Sequence, residues 1–255
     1  MNDPHVDSLE YRFINDDSTR VFKSPSPRDN ETQDFNLHLA DDLLTVKMKT
    51  HCATEQEARA LVDPFLHAWE IDQALQRGGR RAIRFDFLKP NVIDRHPPPA
   101  GSHVLLAGSG TLSFVVNAAT LVTTSPEYPA PPANFVASSD VSVLWTLYKE
   151  HAEGRARLAD VAYACFTYVT KIFAKDVAGA GRKLNISSGR DGVLRTLGRL
   201  SGGKGLRKFP TEGPFTRQEA AWVNEAVRTL IRRVGEQAAG AALNEITMAD
   251  LPPLS

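Results

Sequence analysis

The stretch 35-FNLHLADDLLTVKMKT-50 alternates apolar and polar residues in two runs on either side of an acidic pair. Successive side chains of a strand point to opposite faces, so each run predicts a strand with one apolar face. Asp41-Asp42 provides a two-residue turn between the runs, although Asp-Gly would make a better one. The stretch therefore predicts a β-hairpin and places a β-sheet in the first half of the chain.

One helix and three further strands are predicted around this hairpin. Thr54-Glu-Gln-Glu57 is a capping box, and the apolar residues from Ala58 to Trp69 then fall on one helical face. Pro64 interrupts this pattern, where it either kinks the helix or restarts it. Residues 1–8 and 15–34 are polar, and we interpret them as loosely ordered. Period-two alternation predicts strands at Leu9–Ile14, Ala82–Leu88 and Thr111–Thr124.

Residues 125–138, SPEYPAPPANFVAS, contain four prolines. This composition is typical of a stiff spacer between domains. The stretch also holds two overlapping Pro-x-x-Pro motifs, which would allow it to dock on an aromatic groove as a polyproline ligand. We favour the spacer, which divides the chain into a β-rich region, residues 1–124, and a second region, residues 139–255.

Beyond residue 138 the apolar pattern changes to the 3.6-residue period of a helix. Thr216-Arg-Gln-Glu219 is a second capping box and opens the last helix. Short and medium connections favour a mostly antiparallel helical bundle, followed by a C-terminal tail. The predicted fold class is therefore α+β: a β-rich region with one or two helices, then the bundle. Its four amphipathic stretches centre on Val141–Tyr148, Leu158–Phe173, Val193–Leu200 and Val223–Val234.

Composition and cysteine content predict a cytoplasmic protein. A hydrophobic fraction of 42% in 255 residues suffices for one large core or two modest ones. Cys52 and Cys165 lie far apart and form no disulfide framework, which favours a reducing compartment. The first residues lack the basic start and apolar run of a signal peptide, and no apolar stretch is long enough to cross a bilayer. We therefore expect no membrane partner.

Most candidate sites in the sequence are incomplete. Gly198–Lys204 fits the first seven positions of a phosphate-binding loop, but Gly205 stands where Ser or Thr must hold Mg²⁺. His96 and His103 flank a proline loop and can meet in space, yet they lack placed carboxylate or thiolate partners for zinc. Cys165 lies in an apolar helical stripe and is expected in the core. We predict no catalytic residue, no metal site and no cofactor.

One segment carries an unusual charge. Residues 1–140 contain 13 basic and 19 acidic residues, whereas residues 141–255 contain 17 and 11, so the two parts carry net charges of −6 and +6. Between positions 182 and 208, Asp191 is the only acid. This basic cluster is a candidate for binding nucleic-acid phosphates. The alternative, which the sequence favours, is a solvated face that pairs with the acidic N-terminal half. Its members are Arg182, Lys183, Arg190, Arg195, Arg199, Lys204, Arg207 and Lys208.

The second region resembles the helical domains of the HEPN superfamily (higher eukaryotes and prokaryotes nucleotide-binding). The resemblance covers about residues 140–250 and is carried by Gly181-Arg182-Lys183, Leu194–Ser201, Phe215–Glu219 and Ile231–Glu236. Active members cut RNA with an Arg-x4–6-His motif. Here His151 is the only histidine of the region, and no arginine stands five to seven places before it. The resemblance therefore implies a non-nucleolytic helical scaffold and transfers no site.

Three functions follow from these observations. The leading hypothesis is a non-enzymatic interaction or accessory protein of bacterial type, with a protein partner. The second is an RNA- or DNA-binding protein that uses residues 182–208. The third is a hydrolase whose residues converge only in three dimensions, around His96 and His103.

Overall fold

The structure is a computed structural model that describes residues 3–17, 20–79, 82–96, 123–204 and 214–254. These residues have the α+β class expected from the sequence, with an antiparallel sheet and one helix followed by five helices. The chain forms two compact units, each built from two segments. The sheet unit comprises Met1–Leu66 and Ile83–Pro131, and the helical unit comprises His67–Ala82 and Pro132–Ser255.

The sheet unit contains a five-stranded antiparallel sheet in the order β3-β4-β5-β1-β6, and a parallel pair, β2-β7. The central strand β1 pairs with β5 on one side and with β6 on the other. The strands are β1 (Pro4–Asn15), β2 (Arg20–Ser26), β3 (Arg28–Glu31), β4 (Phe35–Ala40), β5 (Leu43–Met48), β6 (Ile83–Asp94) and β7 (Thr123–Glu127).

The predicted hairpin is confirmed as β4 and β5. Phe35 pairs with Met48 and Ala40 with Leu43, so the two-residue loop is Asp41-Asp42. Both aspartates have positive φ, 49° and 59°, as a turn of type I′ requires. The alternating apolar residues are buried on one face, as the period-two pattern predicts.

The first half of helix α1 (Glu55–Gln76) packs in the sheet unit. Tyr11 Oη donates a 2.8 Å hydrogen bond to Asp63 Oδ1, and the Phe65 ring meets the Phe35 ring edge-on at 5.6 Å. Thr54 Oγ1 accepts from the Glu57 amide, so the predicted N-terminus of this helix is confirmed. Pro64 lies inside one continuous helix, which settles the alternative that the sequence left open.

The prediction that residues 15–34 are loosely ordered is wrong, because β2 and β3 occupy most of them. Strand β3 lies at the edge of the sheet, where side chains face water and need no apolar pattern. Strands β1 and β6 are also longer than the predicted Leu9–Ile14 and Ala82–Leu88. Part of the predicted spacer forms β7, and Tyr128 beyond it is buried. Of the predicted strand Thr111–Thr124, residues 111–122 lie outside the described residues.

In its described residues, the helical unit contains the second half of α1 and five more helices. Helix α4 was not predicted, because its buried residues are mostly small, Gly179, Ala180 and Gly181, and small residues leave no apolar stripe. Gly198–Lys204 lies within α5 and so does not form a loop that enters a helix. The helices are α2 (Ser139–Ala152), α3 (Leu158–Phe173), α4 (Val177–Leu184), α5 (Val193–Lys204) and α6 (Arg217–Ala238).

The core of the helical unit forms around α6, on whose apolar face Trp222, Val227 and Ile231 are fully buried. The second capping box is confirmed: Thr216 Oγ1 accepts from the Glu219 amide, and the Glu219 carboxylate accepts from the Thr216 amide at 2.7 Å. Cys165 is also fully buried in this core, as expected, and its burial raises the pKa of the thiol to about 12.

Candidate functional site

The basic cluster spans the end of α4, the connecting segment and α5. Arg182 and Lys183 stand in the last turn of α4, Arg190 in the connection, and Arg195 and Arg199 one turn apart on α5. All five side chains are exposed. Lys204 ends α5, but its side chain is not described, and Arg207 and Lys208 lie outside the described residues.

Hydrogen bonds hold the connection between α4 and α5 in a defined conformation. Asn185 closes α4 with a left-handed backbone, φ 49°, and its side chain donates to the Leu243 carbonyl at 2.7 Å. Ser187 Oγ accepts from the amide of Val193, where α5 begins, at 3.1 Å. Arg195 Nε donates to the Ser188 carbonyl at 3.4 Å. The cations of the cluster therefore stand on an ordered backbone.

A close approach at Gly181 brings the connection against α4. A Cβ at this position would lie 2.5 Å from Ser188 Oγ and 2.7 Å from the Ile186 carbonyl oxygen, so only glycine fits without a shift. Because Gly181 precedes Arg182 and Lys183, the end of α4 and the connection that carries Arg190 form one local surface.

Among the described residues of the helical unit, acidic neighbours do not neutralise this surface. Within the described part of the helical unit, none of the five exposed cations forms an ion pair with a carboxylate. Other cations of the unit do have such partners: Arg155 pairs with Glu150, and Arg232 with Asp72. The five charges are therefore available to an external anion, and the surface is suited to phosphate oxygens.

A second polar group lies at one end of the sheet, and the sequence did not predict it. The Asp3 carboxylate lies between two imidazoles, 3.0 Å from His96 Nδ1 and 3.7 Å from His51 Nε2. The His5 ring stacks on the His51 ring with centroids 5.2 Å apart. These residues lie at or just before the start of β1, after β5 and just after β6, so only the strand order brings them together.

His5 is the buried member of this group. Its Nδ1 accepts a 3.4 Å hydrogen bond from the Cys52 amide, so that the neutral imidazole carries its proton on Nε2. Burial lowers the pKa of His5, and the electrostatic effects of Arg95 and His51 lower it further, against an opposing effect of Asp7. His5 therefore favours the neutral form in the folded protein.

The predicted pair of His96 with His103 cannot be placed, because His103 lies outside the described residues. Among residues that the structure does describe, no three or more His, Cys, Asp or Glu side chains are arranged to hold a metal ion. In the same parts of the chain, no helix is both long and apolar enough to cross a membrane.

No family model, no curated protein and no solved structure matches this chain. The resemblance of the second region to the HEPN domains therefore stays a hypothesis.

Proposed function

We propose that the helical unit binds the sugar-phosphate backbone of RNA or DNA through the basic cluster. The observation that carries this proposal is the set of five exposed cations on α4, the connection and α5 without an acidic partner in the described part of their unit. The sequence favoured a protein partner instead, and the acidic N-terminal half as the counterpart of the cluster. The five cations without acidic partners favour RNA or DNA, which are polyanions, as the ligand.

The chemistry of the surface predicts binding without sequence preference. Its groups are guanidinium and ammonium ions, whose contacts to phosphate oxygens carry no information about the base sequence. Phe209 is the only aromatic residue near the cluster in the sequence, so stacking on bases contributes little. The HEPN resemblance, in which the nuclease motif is missing, supports binding without cleavage.

Salt dependence tests the proposal. Each phosphate that a cation neutralises releases counterions, so log K falls with log salt by about 0.9 per contact on a duplex. Fluorescence anisotropy with labelled single- and double-stranded RNA and DNA, starting at about 50 mM salt where such contacts are strong, measures this slope. We expect the variant Arg182→Ala/Arg199→Ala to bind about tenfold weaker or worse and to flatten the slope by about two.

A matched variant separates the cluster from overall charge. Lys171 and Arg217 are exposed cations of the same unit outside positions 182–208, and Lys171→Ala/Arg217→Ala removes the same charge. We expect this control to bind as the native chain does. Equal losses of affinity in both variants would show that binding depends on net charge and not on the cluster. No binding at about 50 mM salt would contradict the proposal and favour a protein partner for the cluster. A gel of the recovered RNA shows whether cleavage accompanies binding.

A further inference from the structure

The C-terminal segment, residues 243–251, pairs with the connection between α4 and α5. The Ser187 amide donates to the Ile246 carbonyl at 2.8 Å, and the Ile246 amide donates to the Asn185 carbonyl at 2.9 Å. These bonds form a parallel bridge between Ile186 and Ile246. A segment that is distant in sequence therefore holds the connection in place, in addition to the connection's own bonds to α5.

The C-terminal segment is itself anchored in the helical unit. The buried Arg233 of α6 donates through Nη2 to the Asn244 carbonyl at 2.9 Å. Leu251 is buried in the core of the unit. Between these two anchors, the Asp250 carboxylate accepts from the Thr247 amide at 2.8 Å and fixes a single helical turn. The segment is therefore a fixed support for the connection.

This support determines how the cations of the basic cluster are placed relative to one another. Arg190 lies on the connection, between the cations that end α4 and those of α5. Because the connection is bonded to both α5 and the C-terminal segment, it keeps these two groups of cations on one surface. The backbone positions of the five exposed cations are therefore set before any ligand binds.

The exposed side chains of the cluster offer a ligand little besides charge. Among the described positions 182–203 they are the five cations and Asp191, and none is aromatic. Surfaces that bind single strands combine a basic groove with aromatic side chains on which the bases stack. Without such rings the phosphates alone contribute, and a duplex carries them at high density, with one charge per about 1.7 Å of helix axis.

A fixed array of cations also suits a ligand whose phosphates are already fixed. The two strands of a duplex hold their phosphates in a regular array. A single strand is flexible, so it must be ordered on the surface, and the loss of conformational freedom opposes its binding. Charge density and rigidity therefore favour the same class of nucleic acid.

We propose, on the basis of the function proposed above, that the preferred ligand of the basic cluster is double-stranded nucleic acid, and that the C-terminal segment sets this preference by holding the connection. Asn185 is a positioning residue in this arrangement. Its carbonyl accepts from Ile246, and its side chain donates to the Leu243 carbonyl at 2.7 Å. It acts on the ligand through the cations on either side of it.

Strands of one sequence, labelled and measured alone or annealed to their complement, test the preference in RNA and in DNA. The salt slope is about 0.9 per contact on a duplex and about 0.7 on a single strand. With five contacts the two slopes differ by about one, which is about a tenfold difference in affinity for each tenfold fall in salt. We therefore expect about tenfold tighter binding of the duplex in fluorescence anisotropy at about 50 mM salt.

Two results of this measurement have different meanings. Equal binding of both forms, or tighter binding of the single strand, would overturn the preference for a duplex and leave the proposed function standing. No binding of either form would refute the proposed function, and the preference with it.

The variant Asn185→Gly tests the role of the C-terminal segment. Glycine keeps the left-handed backbone, φ 49°, but lacks the side-chain bond to Leu243, and no charge changes. We expect faster hydrogen exchange of the Ser187 amide, whose acceptor lies on the C-terminal segment. The affinity for the duplex should fall about threefold or more, as for a lost hydrogen bond, while the affinity for the single strand stays as in the native chain.

The matched control is Ser138→Gly, which removes a side-chain bond to the Val141 amide at the start of α2 in the same unit. It should change neither the exchange of Ser187 nor the ratio of duplex to single-strand affinity. A bond that serves only stability leaves this ratio as it was. The native ratio in Asn185→Gly, or unchanged exchange of Ser187, would therefore refute the positioning role.

Discussion

Two glycines of α5 should respond in opposite directions to the same substitution. Gly198 and Gly202 lie one turn apart within the helix. A Cβ on Gly198 would lie 2.6 Å from Phe166 Cζ, with two more ring carbons within 3.0 Å. Among the described residues, a Cβ on Gly202 would meet only Tyr163, at an ordinary contact distance of 3.6 Å.

The magnitude follows from these contacts. Alanine in place of a helical glycine lowers the entropy of the unfolded chain and stabilises a helix by roughly 0.5–1 kcal/mol. Gly202→Ala should show this gain. At Gly198 the new methyl must displace the Phe166 ring, and overpacking of this kind costs about 1–3 kcal/mol. We therefore expect Gly198→Ala to lower the free energy of unfolding by about 1–2 kcal/mol.

Tryptophan fluorescence provides the assay, because Trp69, Trp145 and Trp222 are the only tryptophans and all belong to the helical unit. Urea unfolding followed by this signal reports on that unit, and a shift of the midpoint at unchanged slope measures stability. A stabilised Gly198→Ala protein, or two variants that shift in the same direction, would refute the close contact of α5 with Phe166.

Two further changes test buried polar groups. Tyr148 is fully buried and its hydroxyl donates to Asn224 Oδ1 at 2.7 Å, so Tyr148→Phe should cost about 1–3 kcal/mol in urea unfolding. Tyr168→Phe is the control: it removes a 2.8 Å hydrogen bond to Asp140 at a partly exposed site, where water can replace the tyrosine hydroxyl, so its cost should be smaller. An equal loss of stability in both variants would contradict this reasoning. The pKa of His5 is lowered in the folded state, mainly by burial, so the folded protein binds this proton less readily than the unfolded chain, whose histidine has a pKa of about 6.5. The stability of the sheet unit should therefore fall as the pH drops below about 6.5, and it should fall less in His5→Asn. Hydrogen exchange of the β1 amides measures this stability. The same pH dependence in both proteins would contradict a lowered pKa of His5.

The sequence predicted the elements whose signal is local. The hairpin around Asp41-Asp42 and the helix after Thr216 have periodicity and turn or cap residues that act within a few positions. Strand β2 has no such signal, since its partner β7 lies about 100 residues away and supplies the pairing. Helix α4 was missed for the reason that glycine and alanine fill its buried side.

The candidate sites also differ in whether their residues lie close together in the sequence. The basic cluster is continuous in sequence, so a count of charges found it. Asp3, His51 and His96 are separated by dozens of residues, and only the antiparallel order of β5, β1 and β6 brings them together.

Helix α1 has a consequence for how the chain is made. Its second half belongs to the helical unit, but residues 83–131, which belong to the sheet unit, are synthesised before the remaining residues of the helical unit, 132–255. At about 5–20 residues per second, Trp69 and Ile71 wait on the order of 10 s for α6 to leave the ribosome. During that interval their apolar side chains, buried in the finished protein, have no core to enter. The helical unit is therefore expected to fold only near the end of synthesis, with α1 as a natural binding site for chaperones until then.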